Sequence, residues 1–136
     1  IMILGIGKDI VDISRIEKAL ETHGERFVQR CFTAEEQAEA GSKTDDKSRV
    51  ESFAKRYAAK EALSKALGSG IAHGVFMKDL MVSKDQYGRP IMTVAGGAKD
   101  WLDKITPAGH VAKIHTTLTD EPPYAEALVI IEALPE

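Results

Sequence analysis

The stretch Ser48-Arg49-Val50-Glu51-Ser52-Phe53-Ala54-Lys55-Arg56-Tyr57-Ala58-Ala59-Lys60-Glu61-Ala62-Leu63-Ser64-Lys65-Ala66-Leu67 has almost no option but to be a helix. Alanine, leucine, lysine and glutamate fill it, all strong helix formers, and it contains no proline or glycine. Ser48 with Glu51 fits a capping box at its start, and Gly68 and Gly70 close it. At about 100° per residue, Val50, Phe53, Ala54, Tyr57 and Ala58 share one face. Glu61 falls inside that face, and Lys60 and Lys65 flank it. A helix of this length with an apolar side needs a partner layer to cover it.

The rest of the chain supplies that layer. Residues 2–13 are rich in Ile and Val and read as a strand, with Gly5 and Gly7 marking a bulge or a close approach. Ser14 and Glu17 form a capping-box pattern before a helix over 15–23, which Gly24 ends. A second helical piece follows over 26–32, and Thr33 with Glu36 starts a third that stops near Gly41. Residues 42–47 have no apolar member and read as a surface loop. Strands are expected over 79–83 and 90–94 around an Asp85-Gln86-Tyr87-Gly88 turn, and a short helix over 99–105. A last hairpin pairs 111–119 with 125–131 around Asp120-Glu121-Pro122-Pro123. The fold class is α+β in one domain, 1–136, with one long helix packed on a small antiparallel sheet.

Several functions are disfavoured by composition. With 136 residues and 43% hydrophobic content, the chain can build one core, and a net charge of -3 argues against general nucleic-acid binding. No apolar run approaches the roughly 20 residues a membrane span needs, and the opening apolar run is too short for a signal peptide. The single cysteine, Cys31, excludes an internal disulfide and a cysteine-based zinc site, and reads as half-buried core. A reducing cytoplasmic setting is the expectation.

Two carboxylates then need an explanation. Glu61 is either an i,i+4 partner of Lys65 or, on a buried face, a carboxylate that wants a cation. Asp9 is either a bulge residue bonding nearby backbone or a metal ligand. Brought together, the two suit Mg2+, which takes one or two carboxylates and completes its octahedron with substrate phosphates and waters. Lys60, Lys65 and Arg56 are either solvated flanks or phosphate partners. Gly68-Ser69-Gly70 is either a plain helix cap or an anion cradle, and it is not a Walker loop. His115, alone in a strand, reads as structural.

These residues resemble a known family. Gly5-Ile6-Gly7-Lys8-Asp9-Ile10-Val11, running on to Arg15-Ile16, is similar to the G-I-G-x-D-I-V opening of bacterial holo-acyl-carrier-protein synthases, trimeric 4'-phosphopantetheinyl transferases. Residues 53–71 resemble their main signature, F-x-x-R-[FY]-A-x-K-E-A-x-x-K-A-x-G-[TS]-G-I, and Gly88-Arg89-Pro90 their G-[KR]-P turn. Ile114 to Glu121, then Tyr124-Ala125, is similar to their closing hairpin. The resemblance implies transfer of the phosphopantetheine arm of coenzyme A to a serine of an acyl carrier protein, in support of fatty acid synthesis. It implies Asp9 and Glu61 as magnesium ligands, with Lys65 beside them in catalysis. Arg56 and Lys65 would lie near coenzyme A phosphates, and Gly68, Ser69, Gly70 and Pro90 near its nucleotide. Arg15 and Arg26 would dock the acidic carrier, and the active sites would lie between the protomers of a homotrimer. The family's second hairpin histidine is Asp120 here, so the general base is unassigned; a water oriented at the metal and held by Glu61 is the option adopted. Helix 15–23 also carries Glu17 and Glu21 beside Arg15 and Lys18, so the docking surface is not strongly basic.

Overall fold

A computed structural model describes residues 2–136. In chain order the elements are β1 (Met2–Asp12), α1 (Ile13–His23), α2 (Glu25–Cys31), α3 (Ala34–Gly41) and α4 (Asp46–Leu67). A single 3-10 turn (Met77–Asp79) precedes β2 (Leu80–Lys84), β3 (Pro90–Val94), α5 (Gly96–Ile105), β4 (His110–Glu121) and β5 (Tyr124–Pro135). The expected α+β class holds, with the strands divided between two antiparallel sheets. One has three strands in the order β1-β5-β4, and the other is the β2–β3 hairpin.

The strands are longer than the sequence pattern suggests at the last hairpin, where Asp120 and Glu121 pair with Ala125 and Tyr124 and only Pro122-Pro123 turn. Both helix starts that were assigned to serine belong instead to an aspartate just before it. Asp12 accepts the backbone N–H of Ser14 at 2.9 Å, and Asp45 accepts that of Ser48 at 2.7 Å. Aspartate is at least as good a cap as serine and sits two or three residues earlier, so α4 begins inside the expected loop. The Thr33–Glu36 box is present as expected, with both reciprocal bonds made.

α4 is the axis of the molecule rather than an amphipathic cover. Ala54, Ala58, Ala62 and Leu63 are buried over one half of it, and Leu67, Lys60, Phe53 and Ser64 over the other. The three-stranded sheet packs on one side, through Val11, Ala127, Val129 and Ile131, and the short helices and the β2–β3 hairpin close the others. Its small residues let β1 lie directly on the helix backbone. A Cβ on Gly7 would stand 1.9 Å from the Ala62 carbonyl oxygen, and one on Gly5 would stand 1.8 Å from that of Ala66.

Backbone cannot yield to such an overlap as a flexible side chain can. Gly7→Ala is therefore expected to lift β1 from α4 and destabilise the protein by about 3 kcal/mol, the upper end of ordinary overpacking. A urea unfolding midpoint close to that of the parent would refute the tight-contact reading.

Candidate active site

The Gly5/Gly7 contact decides where Asp9 lies. Two residues further along β1, its side chain comes onto the α4 surface one turn from Glu61. Lys65 Nζ donates to Asp9 Oδ1 at 3.0 Å and to the Lys8 carbonyl at 3.2 Å. Asp9 and Glu61, far apart in sequence, are close enough for each to feel the other. The Glu61 carboxyl is raised above its usual range first by burial and then by Asp9, while Lys65, the Tyr57 hydroxyl and Arg15 pull it back down. The Asp9 side chain is only 17% exposed, against 52% for Lys65. The cluster is thus two partly buried acids with one exposed ammonium beside them.

Among the described residues no group of three or more His, Cys, Asp and Glu gathers in a metal-binding arrangement. Asp9 and Glu61 still fit a hard cation. A half-buried acid held protonation-prone by a second acid is relieved by added positive charge. Two carboxylate donors and no more suit an ion that takes its remaining ligands from phosphates and water.

Arg56 lies elsewhere. It is about 140° round α4 from Glu61 and about 180° from Lys65 at 100° per residue. Its side chain is buried, with Nη1 donating to Ser52 Oγ at 2.8 Å, and its buried Nε has no partner. Burial lowers the guanidinium pKa, and Glu39 and Glu36 push it back up. It forms the wall between two neighbouring hollows of about 240 and 210 Å³. Lys43, Lys55 and Lys84 stand around them, interleaved with Glu35, Glu39, Glu51 and Asp120, so the region mixes both charges. Asp120 lies 3.5 Å from Lys55. Pro90 lines a further cavity of about 290 Å³ between the β2–β3 hairpin and β4, with Arg89, Lys113 and His115.

Other expectations need correcting. Lys60 does not flank the site: it is fully buried, 2.6 Å from Glu36 and 3.0 Å from the Met77 carbonyl, above the Phe32 ring. Its neighbours on the far side of α4 could not be read from the helix pattern. The Gly68–Gly70 turn is a cap, because the Gly68 N–H bonds the Lys65 carbonyl and the Gly70 N–H that of Ser64. Those two donors serve the cap, one of the two readings of the turn, and Gly68 needs its left-handed φ of 82°. Cys31 is buried core rather than half-buried. His115 needs no correction: in keeping with a structural role it bonds Glu132 across strands at 3.2 Å, on the sheet face away from α4.

Arg15 is exposed on α1, near enough to Glu61 and Tyr57 to act on both electrostatically. Arg26 lies on α2 at a hollow of about 120 Å³ shared with His23, Phe27 and Arg30. Glu17 and Glu21 face another hollow with Glu25 and Asp46, so the acidic flank of α1 is separate from its basic one. Sequence reasoning missed Lys43, Lys55 and Lys84 as a group. Nothing local distinguishes them from other surface lysines; only the fold assembles them around Arg56.

An acid pair beside a lysine, where a glycine-bearing strand is pinned to a helix, is a donor set that suits a hard cation and a phosphate. The chain belongs to the 4'-phosphopantetheinyl transferase superfamily, whose family model matches residues 5–119. Within it, the chain is similar to proteins named holo-[acyl-carrier-protein] synthase. That of Mesorhizobium japonicum is 54% identical over 134 residues, 98% of this chain and 96% of that protein. That of Agrobacterium fabrum is likewise 54% identical, covering 98% of each. The crystal structure of the Neisseria meningitidis synthase is 33% identical and superposes with a TM-score of 0.83, over 96% of this chain and 99% of that one. The Helicobacter pylori synthase, crystallised in complex with coenzyme A, is 28% identical with a TM-score of 0.78, over 93% of this chain and 99% of that one.

Proposed function

We propose that this chain transfers the 4'-phosphopantetheine arm of coenzyme A to a serine of apo acyl carrier protein, giving holo carrier and adenosine 3',5'-bisphosphate. The observation that carries the reading is the Asp9–Lys65–Glu61 cluster, which brings together the acids and the lysine of the family signature. Asp9 and Glu61 would hold Mg2+, which when bound supplies charge neutralisation at the pyrophosphate oxygens. Lys65 is placed to donate to the leaving phosphate as its charge grows. Glu61 is placed to orient a water that takes the serine proton. Arg15 and Arg26, with Arg30, offer positive charge to an acidic carrier surface.

The substrate side favours self-assembly. Arg56 with its neighbouring lysines, and Arg89 and Lys113 beside Pro90, are the cations on offer to coenzyme A phosphates, yet Arg56 is on the opposite side of α4 from Glu61 and Lys65. One ligand can use both groups if they come from different protomers. The face of the three-stranded sheet turned away from α4 also needs a cover. Ile6 and Ile10 are 64% and 55% exposed there, beside Leu128 and Ile130. An open apolar sheet face of this kind marks an interface. Copies of the same chain around a threefold axis would cover it and complete each site, making the enzyme a homotrimer. No helix is long and apolar enough to cross a membrane, and the reading places the enzyme with its carrier in the cytoplasm.

Incubation of the chain with coenzyme A, Mg2+ and apo carrier, followed by intact-mass spectrometry, tests the proposal. The carrier is expected to gain one phosphopantetheine. An unchanged carrier mass, with the apo carrier shown to be competent by another transferase, would overturn it.

A further inference from the structure

Lys65 has a second role besides meeting the leaving phosphate. Its Nζ donates at 3.0 Å to Asp9 Oδ1, one of the oxygens a shared cation would need. It also acts through space on Glu61, lowering a carboxyl that burial and Asp9 raise. The ammonium thus serves both acids at once, where a divalent ion shared by them would have to sit. The two compete for Asp9 Oδ1. A metal–oxygen bond of about 2.1 Å to that same oxygen would bring two like charges within a few ångströms of each other.

We propose that Lys65 and the divalent cation exchange at Asp9, so that cation entry is the step that releases the lysine toward the substrate phosphate. The inference rests on the cation reading given above. The lysine is built for such an exchange. Its side chain is 52% exposed, on a long flexible stem, and it is held by just two hydrogen bonds, to Asp9 Oδ1 and the Lys8 carbonyl. Exposed pairs of this kind contribute little stability, so a doubly charged ion displaces it easily. No proton moves: the ammonium leaves charged and arrives charged at the phosphate oxygens. Cation and lysine are therefore not independent contributors. The protein presents its free ammonium only once the cation has taken Asp9.

Arg15 provides the control, because it acts on Glu61 through space, without a hydrogen bond to either acid. Mn2+ serves as the probe, titrated against the full chain in the absence of coenzyme A, with free Mn2+ counted by electron paramagnetic resonance. Lys65→Met is expected to bind Mn2+ roughly tenfold more tightly than the parent, Arg15→Gln to stay within about twofold, and Asp9→Asn to lose the site. Lys65→Gln repeats the test on a polar side chain, with circular dichroism confirming that each variant is folded. Unchanged or weaker binding in both Lys65 variants overturns the exchange. Equal tightening in Arg15→Gln overturns it too, since the effect would then be the general field of any nearby positive charge. Failure of parent and Lys65 variants alike to bind Mn2+ overturns the cation reading itself, and the exchange with it.

Discussion

Asp9→Ala and Glu61→Ala are each expected to cut transfer on the order of 10³-fold or more, equivalent to about 4 kcal/mol of lost transition-state stabilisation. Neither side chain is part of the hydrophobic core, so both variants should remain folded, and a rate within tenfold of the parent would refute the assignment. Glu61→Gln makes the sharper case, because activity and stability should move in opposite directions. An acid whose folded pKa is raised costs stability when ionised. In the presence of a chelator, the glutamine variant should therefore melt higher than the parent at neutral pH. The gain should shrink as pH falls through the folded pKa of Glu61, and vanish below the ordinary glutamate value of about 4.3. A melting curve against pH, read beside the transfer rate, checks both parts.

Lys60→Met is expected to produce the largest loss of stability. Lys60 and Glu36 are both 0% exposed at their side chains and lie 2.6 Å apart. Burial lowers the Lys60 pKa while Glu36 raises it. Glu36 also accepts the Thr33 and Val82 N–H groups at 2.9 and 2.8 Å, so its carboxylate joins α3, α4 and β2. Removing the lysine alone leaves that carboxylate buried without its counter-ion, a change that costs about 3–5 kcal/mol and lowers the melting temperature on the order of 10 °C. Changing both members, Glu36→Gln with Lys60→Met, removes both charges and keeps an acceptor for one of the two N–H groups, which bond separate carboxylate oxygens. It should recover part of the loss. If the double variant is no more stable than the single one, the pair is not a coupled unit. Differential scanning calorimetry on the three variants settles the matter.

The elements with local signals were legible. α4, the Thr33–Glu36 box and the β2–β3 hairpin follow from propensity, capping chemistry and turn residues, which act over a few positions. The convergence of Asp9 and Glu61 was legible as a question, since a carboxylate on an apolar face needs a partner. What could not be read were pairings set by the fold. Glu36 was correctly read as a capping residue, but its bonds to Lys60 and Val82 depend on α3, α4 and β2 meeting. Lys60 looked like a solvated flank because a single-face reading of α4 assumes one covered side, whereas the sheet, the short helices and the hairpin enclose it. The cap errors at Ser14 and Ser48 are smaller: each serine stands close behind an aspartate that competes for the same role.

The opposed positions of Arg56 and Glu61 on one helix carry a consequence for how such an enzyme behaves in a cell. If a working centre borrows its two halves from different copies, a solitary chain is mute, and output climbs more steeply than the amount of polypeptide made. Scarcity alone would then act as an off state, with no inhibitor required.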